Sequence, residues 1–364
     1  MKVRVIALYL PQFHPIPEND GWWGKGFTEW TNVGKAQKLF RNHYQPFIPA
    51  DLGYYDLRVP ETRKAQADMA KAYGIEGFCY WHYWFGNGKR LLERPFNEVL
   101  LSNEPIFPFC LAWANMSWKG FNHGLQNRNV LIEQEYPGDE DYIAHFNVVL
   151  PAFKDKRYIT IDGKPLFMVY APNELPDAKH FIELWRNLAL KNGLSGIHFI
   201  AQSHGEQNEE DFCDKMRGFG FDSINFVRLS AVINKRTFIV KIRDYIKKIF
   251  HRANRVYPYR KCAIYFSQPI DSKSDVIPTV IPNWDHSPRS GRKALIMTGS
   301  SPELFGRHVD EVLEKIKHKD YEHRLIFIKS WNEWAEGNYM EPDLKWGKRY
   351  LETLYEKLKE KDSI

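Results

Sequence analysis

The chain has 364 residues, of which 43% are hydrophobic and 15% aromatic, and its formal net charge is +6. This composition excludes an intrinsically disordered chain, and no stretch approaches the roughly 18 consecutive apolar residues of a transmembrane helix. The cysteines form no CxxC pair, so we predict neither a disulfide framework nor a cysteine-ligated zinc site, and we expect a reducing, cytoplasmic setting. They are Cys79, Cys110, Cys213 and Cys262.

Short apolar runs alternate with helical patterns along the chain, and such runs are typical of strands buried on both faces of a parallel sheet. The predicted strands are Val3–Leu10, Gly77–Phe85, Phe107–Ala114, Pro165–Tyr170, Gly196–Gln202, Ser223–Phe226, Thr279–Trp284 and Leu325–Trp331. The predicted helices are 61–73, 91–101, 139–153, 177–192, 208–217, 237–252, 301–317 and 346–360. Eight strand–helix units predict an α/β fold of the (β/α)8 TIM-barrel type, in one catalytic domain over 1–364. The Gly-rich turn of a doubly wound sheet is missing after the first strand.

Two connections are unusually long. Residues 15–60 form a long loop after the first strand, and we expect this loop to wall the active site, because barrel active sites lie where the strands end. Residues 228–275 form a basic insertion, or a helix within the barrel. The first predicted strand begins at Val3, so we expect no secretory signal ahead of it.

Positive charge is concentrated in residues 228–261, which hold 11 lysines and arginines against one acid, Asp244, whereas the rest of the chain carries 40 basic and 44 acidic residues. Three interpretations are open: a sixth barrel helix with a solvated basic face, a nucleic-acid site, or peripheral attachment through 235–261 to the inner membrane or to a lipid-linked glycan. Because no nucleic-acid recognition fold is visible, we expect no nucleic-acid partner. The apolar face of the predicted helix consists of Phe238, Ile242, Tyr245, Ile246 and Ile249.

Aromatic and hydrogen-bonding side chains gather at the predicted strand ends and in the first long loop. Trp and Tyr faces stack on sugar rings, and amide, imidazole and carboxylate groups bind hydroxyls, so this mixture favours a glycan over a nucleotide. Any one of these tryptophans, taken alone, is more often a core residue. The candidate substrate-binding residues are Gln12, His14, Trp30, Tyr80, His82, Tyr83, Trp84, Trp113, Asn115, Tyr170, Gln202, His204, Trp284, Asp285, Asn332 and Trp334.

The strongest catalytic candidates are Glu333 and Glu336, which come three residues apart directly after the last predicted strand. Cleaving a glycosidic bond needs one carboxyl group to protonate the leaving oxygen and a second group at the anomeric centre. A tryptophan-lined setting raises the pKa of a buried carboxyl group, whereas hydrogen bonds keep its neighbour ionised. A helical turn would place the two side chains on one side, and an extended segment would separate them.

No metal or other cofactor is predicted. The histidines near the strand ends show neither HxH nor HExxH spacing, so we interpret them as hydroxyl-binding or structural residues. Asp285 binds hydroxyls or shapes a turn with Ser287 and Pro288.

The chain resembles the WbsX-type family of lipopolysaccharide-biosynthesis glycosyltransferases, which is related to glycoside hydrolase family 99, the endo-α-mannosidases. The resemblance implies a (β/α)8 barrel that acts on glycans. It further implies that Glu333 is the base that deprotonates the sugar 2-hydroxyl and that Glu336 is the general acid/base at the leaving oxygen, with configuration retained through a 1,2-anhydro sugar. The matching segments are Tyr9–Val33, His43–Pro46, Gly77–Phe85, Asn283–Asp285 and Trp331–Gly337.

Three functional hypotheses follow. The first is a glycan-processing enzyme of glycoside hydrolase type, which acts with retention on an α-linked sugar of a bacterial polysaccharide. The second is a glycosyltransferase of lipopolysaccharide, O-antigen or capsule biosynthesis. The third is a non-catalytic barrel that binds an oligosaccharide or polysaccharide, against which the presence of both glutamates argues.

Overall fold

Eight parallel strands close into a barrel in the computed structural model, which describes residues 1–120, 129–206 and 208–362. Each strand pairs with the next along the chain, and the eighth pairs back with the first. The strands are β1 (Arg4–Tyr9), β2 (Gly77–Trp84), β3 (Phe109–Trp113), β4 (Lys164–Val169), β5 (His198–Ser203), β6 (Ser223–Phe226), β7 (Val276–Val280) and β8 (Leu325–Ile328).

A helix follows every barrel strand, so the predicted (β/α)8 TIM barrel is confirmed. Side chains that accept hydrogen bonds from the first turn begin several of these helices, as Asp177, Asn208 and Ser301 do. The helices are α1 (Pro60–Ala72), α2 (Arg94–Ser102), α3 (Asp139–Phe153), α4 (Ala178–Lys191), α5 (Glu209–Phe219), α6 (Phe238–Ile249), α7 (Pro302–Ile316) and α8 (Arg349–Asp362).

Short elements decorate the connections. The additional helices are Pro17–Trp23, Glu29–Gly34, Ala231–Asn234, Tyr259–Ala263 and Ser287–Ser290, with 3-10 turns at Pro172–Glu174, Pro269–Ser272, Gly291–Lys293, Tyr321–His323 and Trp334–Glu336. The additional strands are Arg90–Leu91, Trp118–Lys119, Val130–Ile132, Thr160–Ile161, Arg255–Pro258, Leu295–Thr298, Asn332–Glu333 and Asn338–Tyr339.

The seventh strand is displaced from its predicted position at Thr279–Trp284, since β7 covers Val276–Val280. Pro278 interrupts the apolar run in the sequence, and proline inside a run normally argues against a strand. The barrel accommodates this proline, which pairs with Phe226 of β6. The chain leaves the sheet before Pro282, and Trp284 and Asp285 are therefore loop residues at the barrel mouth.

Residues 228–275 connect β6 to β7 through several elements rather than one helix. Arg255–Pro258 pairs in parallel with Leu295–Thr298, outside the barrel. Tyr257, Tyr259 and Met297 then bury a second, smaller apolar cluster beside the main core. In the described ranges 1–120, 129–206 and 208–362, no helix combines the length and apolarity needed to cross a bilayer.

Candidate active site

Glu333 and Glu336 lie together on a short hairpin that follows β8. Asn332–Glu333 pairs in antiparallel fashion with Asn338–Tyr339, and Trp334–Glu336 forms a 3-10 turn between them. This tight turn, neither an α-helix nor an extended strand, brings the carboxyl groups close enough to share a hydrogen bond. Both side chains are buried.

The turn depends on Gly337, whose φ of 57° lies in the left-handed region that favours glycine. A Cβ atom at this position would lie 2.8 Å from Asp285 Cβ and 2.8 Å from Phe47 Cε2. The glycine therefore permits the close approach of three loops at the site.

We expect Gly337→Ala to lower the free energy of unfolding by about 2–4 kcal/mol, because it combines left-handed backbone strain with a steric clash. Gly347→Ala is the matched control, since Gly347 also has a left-handed φ, 55°, but no atom lies within 4 Å of the place that its new methyl group would occupy. Urea denaturation measures both. Equal losses in the two variants would contradict the importance of the close approach.

Burial, together with the neighbouring Glu336 carboxyl group, raises the pKa of Glu333 to about 7. The Trp81 indole nitrogen donates a 3.0 Å hydrogen bond to Glu333 Oε1. The Lys329 ammonium lies 3.4 Å from Glu333 Oε2 and moderates the shift. Of the two carboxyl groups, Glu333 is therefore the one that holds a proton, up to about pH 7.

Glu336 is the ionised partner. Burial by itself would raise the pKa of Glu336, but the guanidinium of Arg289, 2.6 Å from Oε1, holds that pKa below its usual value. Arg289 also binds the buried carboxylate of Glu29 at 3.0 Å, so one arginine bridges two buried acids. Glu336 Oε2 accepts no hydrogen bond from an N–H or hydroxyl donor of the described residues, and the Lys329 ammonium lies 3.9 Å from it.

The raised pKa of Glu333 predicts that the free energy of unfolding depends on pH differently in wild type and in Glu333→Gln. Between the ordinary pKa of 4.5 and the raised pKa of about 7, the unfolded chain has lost this proton while the folded protein still holds it, so unfolding becomes easier as the pH rises. Removing the titration with Glu333→Gln should therefore favour the variant over wild type progressively across this range, by on the order of 3 kcal/mol. Denaturation at a series of pH values measures the difference. A difference that is constant with pH would show that the pKa of Glu333 is not raised.

Aromatic rings and a lysine surround the pair. The Lys329 ammonium lies 5.8 Å from the centre of the Trp81 ring and 5.6 Å from that of Trp284. Tyr170 packs against Trp81 at 5.4 Å between ring centres and against His204 at 4.0 Å. The two acids therefore lie in an aromatic-walled site with one lysine beside them.

Four of the predicted binding residues belong to this surrounding group. Burial raises the pKa of Tyr83, and the charge of Glu333 adds to that shift, which places the phenol near the pair. Burial raises the pKa of Tyr170 as well, and the charges of Glu336 and Glu333 add to that shift. His204 and Trp284 complete the four through their contacts with Tyr170 and Lys329.

Three predicted residues of β2 lie on the wrong face of the strand. Tyr80 packs against Phe96 of α2, and His82 bonds with His145 of α3 at 2.8 Å. The Trp84 indole donates to Asp141 of α3. Because side chains alternate along a strand, these residues face the helices while Trp81 and Tyr83 face the pair. They do not line the site.

Two predicted residues near the end of β3 are structural as well. The Trp113 indole donates to the carbonyl of Trp84, and its ring packs on Phe181 of α4. The Asn115 amide exchanges hydrogen bonds with the backbone of Ala171, which ties the loops after β3 and β4 together. Neither contacts the glutamates.

The predicted residues of the first loop have mixed positions. Gln12 lies beside the ion pair of Arg289 with Glu29, because the backbone carbonyl of Gln12 accepts a hydrogen bond from the backbone N–H of Glu29. The side-chain nitrogen of Gln12 is buried and has no hydrogen-bond partner among the described residues. His14 lies elsewhere: burial lowers its pKa to about 4, and its charged neighbours are Asp56, Arg58 and Arg94. Trp30 donates to the carbonyl of Tyr55 and packs on Trp334.

Four further candidates have all or most of their polar atoms engaged by the protein. Gln202 donates to Asn225 inside the barrel, and Asn332 exchanges two hydrogen bonds with the backbone of Leu10. Asp285 accepts from His43, Gln45 and the amide of Ser287, so it joins three segments of the mouth instead of offering a free carboxylate. Trp334 donates to Glu341 and stacks on Tyr339.

Four residues of the site were not predicted from the sequence, namely Trp81, Lys329, Arg289 and Glu29. Strand alternation beside Tyr83 could have identified Trp81. Lys329 immediately follows β8, a position that the strand-end rule covers. Arg289 and Glu29 carried no usable signal, because their meeting depends on how two loops fold over the mouth.

A cavity of about 190 Å³ opens beside the pair. It is lined by Asp285, Gly337 and Tyr339 among others, and neither glutamate reaches it. No cluster of three or more metal-ligating side chains occurs within 1–120, 129–206 and 208–362.

The family model for glycosyltransferase WbsX matches residues 5–354. The chain belongs to the glycosyltransferase WbsX family. This match confirms the resemblance that the first loop and the Trp331–Gly337 segment indicated.

Curated relatives of this WbsX chain include two proteins from Xanthomonas campestris pv. campestris, both called uncharacterized protein WxcX. Those from strains B100 and ATCC 33913 are each 36% identical over 364 residues. The match covers 98% of this chain and 50% of each relative. The chain thus spans about half the length of the curated relatives it matches.

Solved structures share the barrel. A glycoside hydrolase-like protein has a TM-score of 0.62 at 15% identity, with 98% of this chain and 94% of that one covered. The GH99 endo-alpha-mannosidase from Bacteroides thetaiotaomicron, bound to bis-tris-propane, has a TM-score of 0.59 at 14% identity, with 99% and 98% covered. At these identities the likeness is one of fold. Family and fold together relate the WbsX chain to glycan-processing enzymes.

Proposed function

We propose that this chain is a glycan-processing enzyme of glycoside hydrolase type, which acts with retention on an α-linked sugar of a bacterial polysaccharide. One observation carries the proposal: two buried carboxyl groups share a hydrogen bond, and their surroundings shift their pKa values in opposite directions. Paired acids whose environments separate their pKa values are the usual means of dividing acid and base roles at one site.

The roles that the family resemblance implies need a proton on Glu336 and a charge on Glu333, the reverse of the unliganded arrangement. Both arrangements hold one proton on the pair, so they differ only by transfer across the shared hydrogen bond. A sugar 2-hydroxyl that donates to Glu333 favours the ionised form of that group, as does the nearby Lys329 ammonium. Substrate binding then converts one arrangement into the other without exchanging a proton with water.

In the proposed reaction, Glu333 takes the proton of the 2-hydroxyl while that oxygen attacks the anomeric carbon. Glu336 gives its proton to the departing glycosidic oxygen, which leaves a 1,2-anhydro sugar. Water, or an acceptor hydroxyl, then opens this ring as Glu336 takes up its proton and Glu333 returns the other. The Trp81, Tyr170 and Trp284 rings are suited to hold the sugar, and Gln12 offers a buried donor for a hydroxyl.

Glycosyl transfer is the second candidate, because the chain belongs to a family described as glycosyltransferases. The same two carboxyl groups serve either reaction, since only the acceptor that opens the intermediate differs. A role in lipopolysaccharide, O-antigen or capsule assembly corresponds to this candidate.

Product analysis separates the candidates. Wild type and Glu336→Gln are incubated with bacterial polysaccharides and oligosaccharides, with and without nucleotide sugars, and the products are identified by mass spectrometry and reducing-end assays. Glycan shortened without any nucleotide sugar supports hydrolysis, whereas extension that requires one supports transfer. Measurable glycan affinity without product from wild type would support a binding protein and overturn the enzymatic proposal.

A further inference from the structure

Helix α6 presents its apolar face to solvent. As the sixth barrel helix, α6 has the solvated basic residues expected of it, but its apolar face is exposed as well. Ile239 and Phe250 beside this face are exposed too. The exposed fractions on the face are 76% for Phe238, 44% for Ile242, 63% for Tyr245, 47% for Ile246 and 56% for Ile249.

The inward face of α6 is the polar one. Asp244 is buried and accepts hydrogen bonds from Arg236, Arg243 and the Tyr257 hydroxyl. Val240, on the same face, packs against the small apolar cluster around Tyr257. These contacts fix the rotation of the helix about its axis, so the outward apolar face is a property of the fold.

Positive charge borders the apolar face on both sides. At 100° per residue, Lys241 and Lys248 flank one side and Arg243 the other. The one acid of this segment, Asp244, is buried and neutralised by the two arginines described above. The outward surface is thus apolar at its centre and cationic at its margins.

We propose that α6 is a docking surface for the anionic face of a lipid bilayer, with its apolar side chains inserted among the headgroups. An apolar stripe flanked by lysine and arginine is the arrangement by which helices lie in the plane of an anionic membrane. A second protein chain or copy would have to cover a stripe bordered by Lys241 and Lys248, which make no ion pair with the described residues, and the negative charge of lipid phosphates is the complementary partner for these two cations. Val240 packs on the same apolar cluster as Trp284, so the docking helix and one wall of the candidate site share a packing unit.

Vesicle sedimentation tests this proposal on the full chain, with vesicles of pure phosphatidylcholine and vesicles that also contain phosphatidylglycerol. We expect wild type to bind the anionic vesicles at least about tenfold more tightly than the neutral ones, and this preference to shrink as salt rises. The triple variant Ile242→Ser, Ile246→Ser, Ile249→Ser should weaken binding to the anionic vesicles by at least about tenfold. Lys241→Gln with Lys248→Gln should weaken it in a salt-dependent manner.

The matched control replaces three exposed aliphatic residues elsewhere, Leu101→Ser, Ile106→Ser and Leu190→Ser. It should bind like wild type, and circular dichroism should show that both triple variants are folded. Equal binding by wild type and the α6 variant, or no binding by wild type, would overturn the proposal. Self-association in sedimentation velocity that the α6 variant abolishes, without vesicle binding, would overturn it in favour of a second copy of the chain. The outcome is independent of the reaction that the glutamates catalyse.

Discussion

Replacing either carboxyl group of the pair with an amide, in Glu333→Gln or Glu336→Gln, is expected to lower the turnover of a glycan substrate by at least about 10²-fold. Each variant removes a group that must gain or lose a proton in the transition state, and such groups contribute about 10²–10⁴-fold. Both side chains are buried and close enough to share a hydrogen bond, so the amides fit with little change in shape. Initial rates on the glycan that wild type converts measure the effect.

Glu174→Gln is the matched control, because it removes an exposed carboxylate that influences Tyr170 but does not belong to the pair. Its rate should stay within a few-fold of wild type. Full activity in Glu333→Gln or Glu336→Gln would rule that residue out as a catalytic group. Thermal unfolding of each variant ensures that lost activity does not reflect lost structure.

Arg289→Met is expected to destabilise the protein by about 3–5 kcal/mol, because it leaves two buried carboxylates, Glu29 and Glu336, without their shared cation. The same change should raise the pKa of Glu336, since Arg289 is the cation that holds it down. Arg289→Lys should be intermediate, because an ammonium lacks the planar fork that reaches both acids. Denaturation in urea gives the stability of each variant.

Two comparisons make this prediction specific. Arg292→Met removes an exposed arginine three residues away and should cost less than about 1 kcal/mol. Adding Glu29→Gln to Arg289→Met removes one of the two carboxylates that have lost their cation, and it should recover part of the lost stability. An Arg289→Met variant as stable as wild type would show that the bridge does not stabilise the fold.

The barrel was predictable from the sequence because each strand is a short, nearly continuous apolar run and a helical pattern lies between most of these runs. The displaced β7 shows the limit of this reasoning. The predicted strand began at Thr279, directly after Pro278, whereas β7 includes this proline, which pairs with Phe226 of β6. A local rule was overridden by tertiary packing.

The site was predictable only in part. The spacing of Glu333 and Glu336 after a strand identified the acids. The prediction at the strand ends took no account of the alternation of side chains between the two faces of a strand. It therefore included Tyr80, His82 and Trp84, which face helices. Polar residues such as Asp285 and Asn332 hold loops together, a role that residue type alone does not distinguish from sugar binding.

The charges around the acids could not be predicted. The meeting of Arg289 with Glu29 joins residues 260 positions apart through two loops that have no regular pattern. The amphipathic character of α6 was visible in its periodicity, but periodicity does not show which face is inward. The single buried acid, Asp244, decides that orientation through its three partners.

The most direct test of the central claim is a crystal structure of Glu336→Gln with a short oligosaccharide that wild type converts. We predict that the anomeric carbon of one sugar lies between the side chains of residues 333 and 336, with its 2-hydroxyl hydrogen-bonded to Glu333 and its ring against Trp81 or Trp284. A sugar bound elsewhere, with the two side chains still in contact with each other, would contradict the assignment of this pair as the catalytic centre.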